Sequence, residues 1–139
     1  MARATLLADT SVFARLSKPA VAAAVSPLIA DGHVAVCAPV LFELGFSARN
    51  GADHEALLSR MDAFESVPVT DGDHRRSIDV GGRLAELGAH RAVSLVDALV
   101  AAVAESRDLT VLHYDADFEA ISEITGQAHR WVVERGTAD

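Results

Sequence analysis

Residues 94–124 read SLVDALVAAVAESRDLTVLHYDADFEAISEI, and the fold class turns on this stretch. Leu95 to Ala104 is apolar at every position except Asp97. That run is too long for one strand and apolar all round, so it predicts a buried helix from Ser94 to Arg107. Leu109 to His113, Leu-Thr-Val-Leu-His, is short, rich in β-branched and apolar residues and bounded by polar ones, which predicts a strand. Phe118 to Ile124 returns to helical spacing, and Gly126 closes it. Helix, strand and helix in immediate succession build a parallel sheet with helices on its faces.

The alternation continues toward the N-terminus. Ala4 to Ala8 predicts a buried strand, followed by a short helix through Val12, Phe13 and Leu16 that Ser11 can cap. Pro19 opens an alanine-rich helix stopped at Asp31-Gly32. His33 to Cys37 is a second strand, and Pro39 opens a helix from Val40 to Arg49 that ends at Asn50-Gly51. Asp53 starts a fourth helix through Leu57, Leu58, Met61 and Phe64. Val67-Pro68-Val69 is a short strand that Pro68 assigns to a sheet edge. A helix from Asp73 to Leu87 leads up to Ser94, and Arg130 to Val133 is a last strand. With 139 residues and no repeat or linker, the expectation is one α/β domain over residues 1–139, its mostly parallel sheet covered on both faces.

Composition narrows the class. Half of the residues are apolar and 23% are charged, which excludes a disordered chain. The lone Cys37 excludes a disulfide framework and a cysteine-based zinc site. The longest wholly apolar run, Ala98 to Ala104, falls far below the ~18 residues of a membrane span, so a soluble, cytoplasmic protein is expected. The net charge of −8 argues against a protein that coats nucleic acid electrostatically. A mean hydropathy of +0.23 predicts apolar surface that a partner covers.

Four acidic positions stand out, each with two readings. Asp9 follows an apolar strand directly, where open α/β sheets gather ligands, and it equally suits the cap of the next helix. Glu43 lies one turn into a helix among Leu41, Phe42, Leu44 and Phe46, either as a site residue or as an acid facing the helix's positive end. Asp97 is the sharpest, because an ionised carboxylate in a buried helix costs several kcal/mol unless a cation or hydrogen bonds compensate. Its competing reading is a capping box, Ser94-x-x-Asp97. Asp115 and Asp117 again follow a strand and can cap the next helix. Carboxylates converging on one cleft repel one another and take up protons unless a cation is bound. An all-oxygen donor set selects Mg²⁺ or Mn²⁺ over zinc.

Four blocks together resemble the signature of PIN domains: Leu6-Leu7-Ala8-Asp9-Thr10-Ser11, Pro39-Val40-Leu41-Phe42-Glu43-Leu44, Val96-Asp97-Ala98-Leu99-Val100-Ala101-Ala102 and Tyr114-Asp115-Ala116-Asp117-Phe118. More narrowly, they resemble the VapC toxins of bacterial VapBC toxin–antitoxin pairs. The resemblance implies a three-layer α/β/α sandwich, an endoribonuclease that depends on Mg²⁺ or Mn²⁺, and a cognate antitoxin that blocks the site. It assigns Asp9, Glu43, Asp97 and Asp115 to a catalytic, metal-binding quartet, with Asp117 as auxiliary ligand. Thr10 and Ser11 match hydroxyl positions that touch substrate phosphate or metal water. A homodimer is expected, its antitoxin seated in an apolar groove. The alternative function is a non-catalytic PIN-like module that binds RNA or protein.

Other residues carry competing readings of their own. His113-x-Asp115-x-Asp117 has the spacing of a histidine-assisted metal site. Arg75, Arg76 and Arg83 either contact RNA phosphates or pair with Asp73, Asp79 and Glu86 on a solvated helix face. A phosphatase using Asp9 as nucleophile would carry a second aspartate where Ser11 stands, which discounts it.

Overall fold

The computed structural model describes residues 3–139. Among these, five strands alternate with seven helices: β1 (Leu6–Ala8), α1 (Thr10–Phe13), α2 (Pro19–Ala30), β2 (Val34–Cys37), α3 (Ala38–Phe46), α4 (Gly51–Met61), β3 (Glu65–Val67), α5 (Asp71–Glu86), α6 (Leu95–Ser106), β4 (Thr110–His113), α7 (Asp117–Thr125) and β5 (His129–Trp131). The strands form one sheet in the order β3-β2-β1-β4-β5, and every pairing is parallel. Leu6 lies opposite Val34 on one side and Thr110 on the other.

Strand side chains alternate between faces, so the three central strands β2, β1 and β4 feed two cores. Leu7, Ala35, Cys37 and Val111 pack with Val40 of α3, Val80 and Leu84 of α5, Val100 and Val103 of α6, and Phe118 and Ile121 of α7. Leu6, Ala8, Val34 and Leu112 pack with Val12 of α1 and with Val21 and Val25 of α2. Both faces are covered, which is why β1 and β2 are apolar and buried throughout instead of alternating with polar residues. The result is the expected α/β/α sandwich. No helix among the described residues is long and apolar enough to cross a membrane.

Several boundaries move for local chemical reasons. Asp9, not Ser11, caps α1, because its carboxylate accepts the Ser11 amide. Helix α3 stops at Phe46, before the expected Arg49, because Asn50 caps α4 by accepting the Asp53 amide. Helix α5 starts at Asp71, since Thr70 and Asp73 close a capping box: Asp73 N–H donates to Thr70 Oγ1 at 3.2 Å and Thr70 N–H to Asp73 Oδ2 at 2.9 Å. That reciprocity explains how Asp73 is almost fully buried at a helix start. The edge strand β3 precedes Pro68, which has no N–H to continue a ladder. Strand β5 lies slightly earlier than expected, at His129–Trp131.

From β1 the chain winds outward through β2 to β3, then returns to place β4 on the other side of β1. The carboxyl ends of β1 and β4 therefore flank the point where the winding reverses, the crevice in which parallel sheets hold ligands.

Candidate metal centre

Three carboxylates meet at that crevice. Asp9 leaves the end of β1, Asp115 follows β4, and Asp97 projects from the first turn of α6. One oxygen from each lies within 4.8 Å of the others. Asp9 and Asp97 are only 2% and 4% exposed, so their charge cannot be dispersed into water.

Each arm is anchored. Asp9 Oδ2 accepts the Ser11 amide at 3.1 Å and the Ser11 hydroxyl at 2.7 Å. Ser11 Oγ in turn accepts the Tyr114 amide at 2.9 Å, tying the end of β1 to that of β4. Asp115 Oδ1 accepts the Asp117 amide at 2.9 Å. Asp117 Oδ2 accepts the Ser94 amide at 2.9 Å, which fixes the start of α6 against the turn after β4. This overturns the capping-box reading of Asp97. Ser94 caps through its own hydroxyl oxygen, which accepts the Val96 amide, and its backbone N–H donates to Asp117.

Asp97 is thereby left without local compensation. Three buried side-chain polar atoms among the described residues lack a hydrogen-bond partner, and two belong to this trio: Asp9 Oδ1 and Asp97 Oδ2. Orphaned buried acceptors cost about 1–3 kcal/mol each, more when charged, so they call for a cation or protons. The pKa directions agree. Burial pushes Asp97 well above the usual carboxylate range, and the charge of Asp9 and the contacts with Asp115 and Asp117 push it further. Burial raises Asp9 too, against the opposing hydrogen bonds from Ser11, with Glu43 and Asp115 adding repulsion. Oxygen donors on three separate elements suit a hard divalent ion.

Glu43 and Asp117 stand beside the trio and are not among its three mutually close oxygens. Glu43 Oε1 accepts the Thr10 hydroxyl at 2.6 Å, and its charge reaches Asp9. The two hydroxyls read from sequence as phosphate contacts thus donate to acids: Thr10 aims Glu43 and Ser11 aims Asp9. Position after Asp9 singles out these two residues; only the structure shows their partners.

His113 is no ligand. It is fully buried, and its two ring nitrogens meet the Asp115 amide at 3.0 Å and His129 Nδ1 at 2.9 Å. Burial, and then the charge of His129, lower its pKa to about 4, so it is neutral at pH 7. Cys37 is buried as well, and burial first of all raises its thiol to about 11, too high for thiolate chemistry. Arg76 is held by Glu105 at 2.7 Å and Asp79 at 3.1 Å, which favours the solvated-face reading of α5.

Residues 6–124 match the PIN domain family. The chain is 43% identical over 133 residues to Ribonuclease VapC51 of Mycobacterium tuberculosis, covering 96% of each protein. A crystal structure of VapBC-5 from Mycobacterium tuberculosis, a member of the VapBC family of toxin–antitoxin systems, contains a similar chain. That chain is 32% identical, with a TM-score of 0.63 and coverage of 94% of this chain and 98% of the other. DNA-bound VapBC from Salmonella typhimurium contains another at a TM-score of 0.73 and 20% identity, with 94% and 99% covered, a likeness of fold.

Proposed function

The chain belongs to the PIN-domain family, and from that premise we propose that it is a ribonuclease that cleaves RNA internally with Mg²⁺ or Mn²⁺, as the toxin of a toxin–antitoxin pair. The observation that carries this reading is the trio of Asp9, Asp97 and Asp115, with its two unpartnered oxygens, at the sheet's switch point. When bound, a divalent cation neutralises phosphate charge and lowers the pKa of coordinated water.

Asp9 Oδ1 and Asp97 Oδ2 are the principal ligands, and Asp115 is the third, through the oxygen that the Asp117 amide leaves free. Asp117 serves as auxiliary acid and spends one oxygen on Ser94. Glu43 keeps Oε2 for the attacking water while Thr10 fixes Oε1. Water held there can pass its proton to Glu43 as the phosphodiester is attacked. Ser11 holds Asp9 by Oδ2 and so leaves Oδ1 free for the cation.

The partner is an antitoxin. Helix α3 carries Glu43 at the site and exposes Phe42 and Phe46 (79% and 87%) on the surface beside α4. Ala38, Leu41, Gly45 and Leu58 line the same groove. An apolar segment seated there can extend a basic side chain into the acidic cleft, which matches the net charge of −8 better than direct attraction of RNA does. The second large apolar patch, with Ile78 and Leu95 exposed on α5 and α6, is the proposed homodimer face.

The test pairs a uniformly labelled RNA with the product of the adjacent gene. Internal cleavage is expected in Mn²⁺, suppressed when that product is added, and restored when Phe42→Asp weakens the docking. Exonucleolytic laddering, or a Phe42→Asp variant still fully inhibited, would contradict the reading.

A further inference from the structure

Asp115 differs from Asp9 and Asp97 in lying on a partly exposed turn, where its carboxylate accepts the Asp117 amide of that same turn. Its backbone amide ties it to the sheet. That N–H points at His113 Nδ1, two residues earlier, at 3.0 Å. An amide can only donate, so Nδ1 must carry a lone pair. A neutral imidazole then has its proton on Nε2, which is 2.9 Å from His129 Nδ1 and donates to it. One backbone group thus fixes the tautomer of a wholly buried histidine and the acceptor role of its neighbour.

The ring has no freedom to do otherwise. Phe118 lies 4.8 Å from its centroid, Trp131 5.0 Å and the His129 ring 5.1 Å. Phe118 is itself on the first turn of α7, which Asp115 and Asp117 introduce. The imidazole therefore acts as a rigid post at the end of β4.

We propose that His113 is a positioning residue for the metal site: as the Nε2–H tautomer seated on His129, it captures the Asp115 amide and sets the turn that brings the Asp115 carboxylate to Asp9 and Asp97. This rests on the metal role of Asp115 given above. The loss of an outer hydrogen-bond partner of a ligand typically lowers metal affinity about 10- to 100-fold. His113 touches neither substrate nor cation and acts only through Asp115.

Two substitutions separate its two bonds. In His113→Asn, Oδ1 falls near the place of Nδ1 and can still accept the Asp115 amide, while the bond to His129 is lost. In His113→Gln, the amide reaches toward His129 and the Asp115 amide loses its acceptor. Both shrink the side chain in the same core, so a purely structural role affects both alike. Calorimetric titration with Mn²⁺ should give His113→Asn an affinity close to wild type and His113→Gln an affinity about 10- to 100-fold weaker. Equal affinities for the two variants would overturn the proposal. If neither variant folds, nitrogen NMR of the metal-free wild type still decides. The proposal requires an unprotonated Nδ1 and a protonated Nε2 on His113, and the reverse tautomer would sink it. Wild-type protein with that tautomer but no Mn²⁺ affinity would overturn the metal assignment of Asp115 and leave the hydrogen bond standing, so the two failures are told apart.

Discussion

Asp97→Asn should abolish RNA cleavage and at the same time make the metal-free protein more stable. Asparagine keeps the shape of the side chain and loses only the charge. In the native fold Asp97 sits almost wholly buried, with Oδ2 unpartnered and two other acids within 4.8 Å. Without a cation the wild-type site has to carry a proton there. Holding a carboxyl protonated at neutral pH costs about 1.4 kcal/mol for every pH unit above its ordinary pKa. The variant is free of that penalty, so its metal-free stability in urea should exceed wild type by at least about 1 kcal/mol. Loss of a direct ligand should cost more than the roughly 10- to 100-fold in metal affinity that an outer partner costs, and cleavage falls with it. Paired urea titrations with and without Mn²⁺ check the stability half, and a cleavage assay checks the other. A variant as active as wild type, stabilised equally by Mn²⁺, would remove Asp97 from the site.

The second large effect is on pH dependence. Folding raises the pKa of Asp9 and Asp97 above the unfolded carboxylate value. At neutral pH the unfolded chain has lost those protons, while the metal-free native state keeps one at Asp97, whose pKa burial pushes up to about 10. A native state that binds more protons loses stability as pH rises, by up to about 1.4 kcal/mol per pH unit for each proton retained. His113 works in the opposite sense, because its lowered pKa adds stability as pH rises, but that contribution is complete above its unfolded pKa of about 6.5. Between roughly pH 7 and 8.5 the acids should therefore dominate, and stability in EDTA should fall with pH. Mn²⁺ should remove the slope, since ligands bind as carboxylates and Mn²⁺ affinity rises with pH. Asp97→Asn should flatten it even in EDTA. A wild-type protein whose EDTA stability is level over that window would show that the acids are already ionised and compensated without metal.

Much of the architecture was legible in the residues. The apolar runs at Leu6–Ala8 and Val34–Cys37 are short and uninterrupted because helices cover both faces of the sheet, and that continuity announces parallel strands. Asp97 was legible for a related reason: a single charge inside an all-apolar helix needs an explanation. Asp9 illustrates why the two readings of an acid do not compete, since one oxygen caps α1 and the other is left for the site.

What the sequence hides is pairing over distance. Ser11 Oγ meets the Tyr114 amide across 103 positions, and the Thr10 hydroxyl meets Glu43 across 33. Neither bond leaves a periodic trace. Ser94-x-x-Asp97 has the spacing of a capping box, yet the Ser94 amide goes to Asp117, 23 residues away, because the turn after β4 packs against the start of α6. His113 looks like a ligand by spacing and turns out to face inward, since the end of β4 leaves its ring among Phe118, His129 and Trp131.

The most direct test of the metal-dependent site is cleavage of one labelled RNA by wild-type protein and Asp97→Asn, first in EDTA and then after Mn²⁺ or Mg²⁺ is restored in excess. The expected result is no cleavage by either protein in EDTA, full recovery of wild type with the added ion, and continued inactivity of the variant. Cleavage in EDTA that survives Asp97→Asn and is lost when the protein is omitted would contradict it.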